Sequence, residues 1–233
     1  MSSFFNKILY QPLFNLLMFF NQYFHDLGWA IVVLTIIIRF ILLPFFYKSS
    51  KDQAILQKLA PQIKEIQKNH KNDINTQTQA MLALYKDHKV SPWSSLIFLA
   101  IQLPILFALY KVFLGGVQQV VGEPLFLGLI NLTKPNIFVI LATALATFLQ
   151  SVVALQPQKG KTLSPTEQLT KRISLLAPLW TVIFLFFLPS ALGLYVLTSI
   201  LFSVVQQIFI NKALAKQAEQ HENLKDFTPK ISN

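Results

Sequence analysis

The sequence predicts an all-α fold: a polytopic membrane protein with five transmembrane helices around a hydrophilic groove and a cytoplasmic helical hairpin. Hydrophobic residues make up 53% of its 233 positions and charged residues only 13%, a composition too apolar for a soluble protein. Apolar stretches of this kind are typical of membrane helices, because about 20 residues cross the hydrocarbon core. The five candidate spans, of which the fourth is short, are residues 27–47, 93–113, 135–155, 173–188 and 191–210.

The basic residues cluster in alternate connections between these spans. Eight lysines lie in 48–92, three lysines and one arginine lie in 156–172, and four lysines follow residue 210. The loop 114–133 has no basic residue. The positive-inside rule therefore predicts that the N-terminus is outside and the C-terminus is cytoplasmic. The formal charge of +10 mainly reflects this topology, with attraction to ribosomal RNA or anionic lipid as an additional use.

The connections complete the predicted organisation. Three of them face the outside: an interfacial helix before the first span at residues 1–26, a loop after the second at residues 114–134, and the turn between the last two spans. Three face the cytoplasm: the helical hairpin, a basic loop and the tail, at residues 48–92, 156–172 and 211–233. The last two spans are joined by Pro189 and Ser190, which leaves almost no loop between them.

The first 24 residues are apolar but interrupted. Polar residues and a proline break the run of Phe and Leu at Pro12, Asn15, Asn21 and Gln22, which favours a helix lying in the outer interface. The alternative is a signal peptide, which would need a basic start and a small-residue cleavage site. Lys7 is the one basic residue before the first span, so we prefer the interfacial helix.

The hairpin is predicted from helical periodicity on both sides of the polar turn 68–73. Apolar residues recur at helical spacing before the turn and again after it, at Leu56, Leu59, Ile63, Ile66, Ile74, Met81, Leu82 and Tyr85. Two amphipathic helices joined by a polar turn make a helical hairpin. It is either a solvated loop that packs against itself or a docking arm for cytoplasmic partners.

Arg39 lies midway along the first predicted span, within the run "LTIIIRFILLP" (34–44). It is eight residues, or about 12 Å, from the end of that span, farther than an arginine side chain reaches. A charge at this depth is costly unless it meets water or a partner. All ten acidic residues lie outside the five spans, so we expect Arg39 to face a water-filled cavity. The structural alternative is an arginine satisfied by carbonyls and hydroxyls of neighbouring helices.

Polar residues on other spans could form the walls of this cavity. The third span carries Thr143, Thr147, Gln150 and Ser151 at helical spacing, and the fifth carries Tyr195, Thr198, Ser199, Ser203 and Gln206. From these and from the second and fourth spans we predict a shared hydrophilic groove formed by Arg39, Gln102, Thr147, Gln150, Trp180, Tyr195, Ser199 and Gln206.

The sequence contains no motif that is typical of an enzyme or of a metal-binding protein. There is no cysteine, no His-Glu-x-x-His metal motif, no phosphate loop and no nucleophile turn. Coupled transporters usually carry intramembrane carboxylates and internal repeats, and neither is present here. We therefore expect a protein that is not an enzyme and that uses no cofactor and no metal.

Five pieces of the sequence, in order, resemble the YidC/Oxa/Alb family of membrane protein insertases, in its short five-span bacterial form. They are "LTIIIRFILLP" (34–44), "LAPQI" (59–63), "ALYKDHKVSP" (83–92), "IQLPILFALY" (101–110) and "FLPSALGLY" (187–195), followed by Gln206 and Gln207. The resemblance covers residues 27 to about 207. Arg39 matches the single intramembrane arginine of that family.

The resemblance implies a function. A member would take the hydrophilic tail of a nascent membrane protein into a groove open to the cytoplasm, where Arg39 attracts acidic residues, and release the apolar segment into the bilayer. Its implied partners are nascent membrane proteins, the lipid bilayer and, through the hairpin, the ribosome, the Sec translocon or signal-recognition components, with no specific nucleic acid. Its implied location is the bacterial cell membrane. A small solute channel or transporter using the same pocket is the alternative.

Overall fold

The computed structural model describes residues 5–113, 124–154 and 165–226. A π-helical segment, Asn6–Tyr10, leads into eight α-helices within those residues. They are α1 Gln11–Phe24, α2 Leu27–Ile41, α3 Leu43–Asn69, α4 Ile74–Asp87, α5 Ser94–Lys111, α6 Ile137–Ala154, α7 Pro165–Phe186 and α8 Ser190–Asp226. Two short strands, β1 Leu125–Phe126 and β2 Ile130–Asn131, form an antiparallel hairpin that pairs Leu125 with Asn131 and Phe126 with Ile130. Residues 114–123, 156–164 and 227–233 of the predicted connections lie outside the described residues.

The chain divides into two compact units. The first comprises Met1–Phe40 and Ile105–Asn233, and the second comprises Ile41–Pro104. In the first unit, α6 packs extensively against both α7 and α8. The α6 and α8 backbones approach closely at Gly193, because a Cβ added there would come within 2.8 Å of the Val139 side chain. Close approach of this kind is typical of helix pairs in membrane proteins.

The second unit contains α3 and α4, which pack against each other on either side of the turn. Asp73 is the N-cap of α4, and its carboxylate accepts hydrogen bonds from the backbone N–H groups of Asn75 (3.0 Å) and Thr76 (3.1 Å). The Thr76 hydroxyl donates to the same carboxylate at 2.6 Å. These bonds satisfy N–H groups that have no partner inside the helix and fix where α4 begins.

The first predicted span is not one continuous helix. Helix α2 ends at Ile41, and α3 begins at Leu43, where Pro44 occupies one of its first two positions. Proline lacks an N–H group and therefore suits a helix start better than a helix interior. The break falls within the predicted span 27–47, and α3 continues into the hairpin to Asn69.

Within the described residues, one helix, Ser190–Ala213, is long and apolar enough to cross a bilayer by itself. Leu27–Ile41 and Leu43–Leu56 would add a second if they act as one span. The shorter apolar helices Ala100–Lys111, Ile137–Val153 and Leu176–Phe186 fall in the other three predicted spans. The count of five spans remains a prediction. Helix α8 runs on to Asp226, so most of the predicted tail is helical.

The N-terminal segment has both a buried and an exposed apolar side. Leu13 and Leu17 of α1 are buried, whereas Phe19 and Tyr23 are exposed. Lys111, at the end of α5, donates to Asn6 Oδ1 at 2.9 Å, and its ammonium lies 4.8 Å from the centre of the Tyr10 ring. This cation–π contact and hydrogen bond join the π-helical segment to the end of α5.

Candidate functional site

Arg39 lies near the end of α2 with only 8% of its surface exposed. It makes interactions within the chain, and Tyr195 of α8 lies close enough to interact with it electrostatically. The adjacent rings of Phe40 and Phe202 meet edge to face, with centroids 5.1 Å apart. The structure therefore brings Arg39 and Tyr195, two of the predicted groove residues, together inside the first unit.

One face of α8 is polar along the residues that follow Tyr195. Ser199, Ser203 and Gln206 share this face at spacings of four and three residues. Ser203 donates from its hydroxyl to the Ser199 carbonyl at 2.9 Å. By contrast, the Ser199 hydroxyl, on a side chain only 2% exposed, and the Gln206 Oε1 make no hydrogen bond to any described residue. Buried polar atoms of this kind are costly, and a ligand that supplied hydrogen bonds would relieve the cost.

The hydroxyls of α6 are mostly engaged by their own helix. Thr143 donates to the Val139 carbonyl at 2.6 Å, and Thr147 donates to the Thr143 carbonyl at 2.8 Å. Thr147 Oγ1 also lies 3.4 Å from Thr181 Oγ1 of α7. Gln150 is half-buried on the same helix. Because the threonine donors are already used, this side of the predicted groove offers mainly hydrogen-bond acceptors.

A polar contact joins α8 to the C-terminal end of α6. Asn211 donates from its side-chain amide to the Val153 carbonyl at 3.1 Å, and Gln207 donates to Asn211 Oδ1 at 2.9 Å. The Val153 carbonyl lies in the last turn of α6, where carbonyls have no partner within the helix. Asn211 therefore stabilises the end of α6.

Two predicted groove residues differ from these in their exposure or in the unit to which they belong. Trp180 of α7 is 69% exposed. Gln102 of α5 is half-buried and belongs to the second unit. The candidate site in the first unit therefore comprises Arg39 with Tyr195, Ser199 and Gln206 of α8, and Thr147 and Gln150 lie on α6, which packs against α8.

The predicted groove residues do not include three polar residues whose side chains make hydrogen-bonding contacts within or between helices. They are Thr181, Gln207 and Asn211. Gln207 and Asn211 are one helical turn apart on α8, and this spacing could have indicated a pair. Thr181 is an isolated hydroxyl in an apolar stretch, and nothing in the sequence marks it as the neighbour of Thr147.

The arrangement combines a fixed positive charge with hydrogen-bonding groups in an apolar setting. A guanidinium can bind carboxylates strongly, because its N–H groups match the carboxylate geometry. The Ser199 hydroxyl and the Gln206 carbonyl can accept from N–H or O–H donors. Groups of these kinds suit a ligand that is polar and carries a carboxylate.

These features define a class of α-helical proteins in which a buried arginine lies beside a polar face of an apolar helix. Residues 19–219 match the family model described as "60Kd inner membrane protein". The chain therefore belongs to this family, as the sequence motifs predicted.

Bacterial relatives named membrane protein insertase YidC match most of the chain. The protein from Magnetococcus marinus is 35% identical over 209 residues, which are 88% of this chain and 36% of the relative. The protein from Campylobacter jejuni is 34% identical over 208 residues, which are 89% of this chain and 38% of the relative. The chain thus spans little more than a third of the length of these relatives.

A solved structure has a similar fold. It is a crystal structure of an active YidC insertase with the first transmembrane domain resolved, and it matches with a TM-score of 0.62 at 26% identity. The match covers 88% of this chain and 46% of the solved one.

Proposed function

We propose that this protein is a membrane protein insertase that takes hydrophilic tails of nascent membrane proteins into a groove and releases their apolar segments into the bilayer. Membership of the family and the names of its relatives support this class of function. The observation that carries the proposal is the buried Arg39 beside the polar face of α8, which begins at Tyr195. We propose that the protein acts without a cofactor and without covalent catalysis.

The physical task is to move a polar tail across an apolar barrier. Burying an acidic side chain costs several kcal/mol unless a partner is present, and a buried positive charge offsets part of that cost. The buried Ser199 and Gln206 oxygens, which make no hydrogen bond to a described residue, would accept hydrogen bonds from donors in the same tail. The exposed apolar side chains of α7, including Trp180 and Phe184, would then guide the apolar segment towards lipid.

The groove opens to the cytoplasm in this proposal, with the N-terminus outside and the C-terminus inside the bacterial cell membrane. The distribution of basic residues supports this topology. Helix α1 would lie in the outer interface, and its exposed Phe19 and Tyr23 support this position, because aromatic side chains favour the membrane–water boundary.

The α3–α4 hairpin is proposed to dock cytoplasmic partners. Ile74 and Leu82 of α4 are exposed apolar side chains on a helix that also carries Lys86 in its last turn. The ribosome, the Sec translocon and signal-recognition components are the candidate partners, and no specific nucleic-acid sequence is read.

The test replaces Arg39 and also changes the client, which is the nascent membrane protein that is to be inserted. Arg39→Lys keeps a positive charge and should retain most insertion activity, whereas Arg39→Ala should lose about tenfold or more for clients with acidic translocated tails, because the compensating charge is gone. Clients whose tail acids are changed to Asn or Gln should be inserted equally well by both variants. Insertion is measured by protease protection of the tail in vesicles reconstituted with the pure protein.

The neutral-tail clients are the matched control, since a misfolded Arg39→Ala protein would fail with every client. A uniform loss across acidic and neutral tails would assign Arg39 a packing role and would contradict the proposed groove. Normal insertion of both client types by Arg39→Ala would contradict it as well.

A further inference from the structure

We infer that residues 124–134, here called the clasp, hold the N-terminal ends of α2 and α8 together and close this end of the polar groove, with Asp26 as the positioning residue. The inference deepens the proposed function, because the groove is taken to be the client path. It rests on contacts at both ends of the clasp and on the apolar layer between the clasp and Arg39.

At the α2 end, one carboxylate has two tasks. Asp26 Oδ1 accepts from the N–H groups of Gly28 (2.7 Å) and Trp29 (3.2 Å) and so caps α2. Its other oxygen, Oδ2, accepts from the Leu127 N–H of the clasp at 2.7 Å. Leu127 and Gly128 both have positive φ angles, 53° and 70°, and form the tight turn that directs this N–H group at Asp26.

Steric fit strengthens the same junction. The Phe126 ring lies directly on Gly28, and a Cβ added to Gly28 would overlap it. The ring also meets Trp29 edge to face, with centroids 6.0 Å apart. Glycine is needed at this position because any larger residue would displace the clasp.

At the α8 end, the clasp supplies carbonyls to the first turn of the helix. The Ala191 N–H donates to the Leu132 carbonyl at 2.9 Å. Ser190 donates to the Lys134 carbonyl from its N–H at 3.1 Å and from its hydroxyl at 2.6 Å. The first N–H groups of a helix have no internal partner, and in an apolar medium no water satisfies them. The clasp therefore satisfies polar groups at the starts of both helices.

An apolar layer lies between the clasp and the buried arginine. Gly28 and Arg39 are eleven residues apart on α2, about 16 Å along the helix. The buried side chains of α2 in this interval are apolar (Ala30, Ile31, Leu34 and Ile38) apart from Thr35, whose hydroxyl donates to the Ile31 carbonyl at 2.6 Å. Leu192 and Leu194 near the start of α8 are also buried and apolar. Outside the layer, a cavity of about 500 Å³ is lined by residues including His25, Asp26 and Gly128. If the clasp closes this end, water can pass from the cavity to the apolar layer only when the clasp opens.

The test measures access to the apolar layer. The chain has no native cysteine, so Thr35→Cys, at a buried position on α2, is a single reporter for a membrane-impermeant thiol reagent. Asp26→Asn leaves one carbonyl oxygen, which can serve the α2 cap or the Leu127 N–H but not both. We expect labelling of the reporter to accelerate on the order of tenfold, because a hydrogen bond to a charged group shifts a local opening equilibrium by about that factor.

Two further variants separate opening of the clasp from general damage. Gly28→Ala should open the clasp by displacing Phe126, and the double variant with Phe126→Ala should be labelled more slowly than Gly28→Ala alone. Asp73→Asn makes the same chemical change at the cap of α4 and should leave the labelling rate unchanged.

The reagent is applied separately to each face of the vesicles, so the result can be interpreted for either topology. No client is present, so the result does not depend on the outcome of the Arg39 test. Continued protection of the reporter in both Asp26→Asn and Gly28→Ala would overturn the inference. Equal acceleration by Asp73→Asn would also overturn it.

Discussion

At the scale of single residues, Asp73 shows how a side chain fixes the start of an element. The Thr76 hydroxyl, together with the backbone N–H groups of Thr76 and Asn75, lowers the pKa of the Asp73 carboxyl below its ordinary value. A lowered pKa in the folded state stabilises the fold above the unfolded-state pKa. That contribution is lost as the pH falls through the folded-state pKa.

The corresponding prediction concerns hydrogen exchange in the first turn of α4. In the native chain, protection of the Asn75 and Thr76 amides should fall as the pH drops below about 3.9, the ordinary aspartate value, after correction for intrinsic exchange. Asp73→Asn should keep the cap and remove this pH dependence. Asp73→Ala should raise the exchange rates of both amides several-fold at all pH values. Equal protection in all three proteins would show that the cap does not hold the helix start.

Residue roles were the least predictable part of the site. The sequence places Thr198, Ser199 and Ser203 alike on one helix, yet the Thr198 and Ser203 hydroxyls donate to carbonyls one turn earlier and the Ser199 hydroxyl does not. The difference depends on side-chain rotamers, which packing decides. Asp26 was predictable in part, since an aspartate just before an apolar run is a typical helix cap. Its bond to Leu127 joins residues 101 positions apart, which no local pattern indicates.

At the scale of elements, the periodicity of residues 56–85 predicted two helices and a polar turn, and α3 and α4 are present on either side of that turn. The break at Leu42 was not predicted, because the apolar run continues through it. Hydropathy alone does not indicate that Pro44 lies at the start of a helix. The strands β1 and β2 were also not predicted, since two-residue strands are too short to give an alternating pattern.

The docking role of the hairpin gives a prediction at this scale. Replacing residues 51–88 with a flexible linker should leave a stable membrane-embedded protein that inserts ribosome-bound clients several-fold more slowly. The variant with Ile74→Ser and Leu82→Ser keeps the length and the helices but removes exposed apolar side chains, and it should reproduce part of the loss. Co-sedimentation with ribosomes and co-translational insertion are the measurements. Full activity of the deletion would contradict a docking role.

At the scale of the whole molecule, composition was sufficient to predict an all-α membrane protein, and the motifs were sufficient to predict the family. The number of crossings was harder to fix, because the described apolar parts of α5, α6 and α7 are shorter than a full crossing. A length criterion treats each helix separately, whereas a short helix in a bundle can cross where the bilayer is locally thinner or where flanking polar residues extend it.

The predicted topology can be tested with two single cysteines. Leu129→Cys lies in the clasp at a position 85% exposed, and Asn72→Cys lies in the exposed turn before α4. An impermeant reagent added outside intact cells should label Leu129→Cys alone, and inverted vesicles should give the opposite result. Labelling of Asn72→Cys in intact cells would contradict the charge-based orientation.

The contacts between the clasp and α8 also constrain the order of events during synthesis. Ser190 is 56 positions after Lys134, to whose carbonyl it donates. When the ribosome has made the clasp and α6, the partners of Leu132 and Lys134 do not yet exist. The Leu132 and Lys134 carbonyls therefore cannot make these bonds until the start of α8 has been synthesised, and contacts between distant residues of this kind slow folding. A protein proposed to assist the assembly of others thus completes its own fold only when its last long helix emerges.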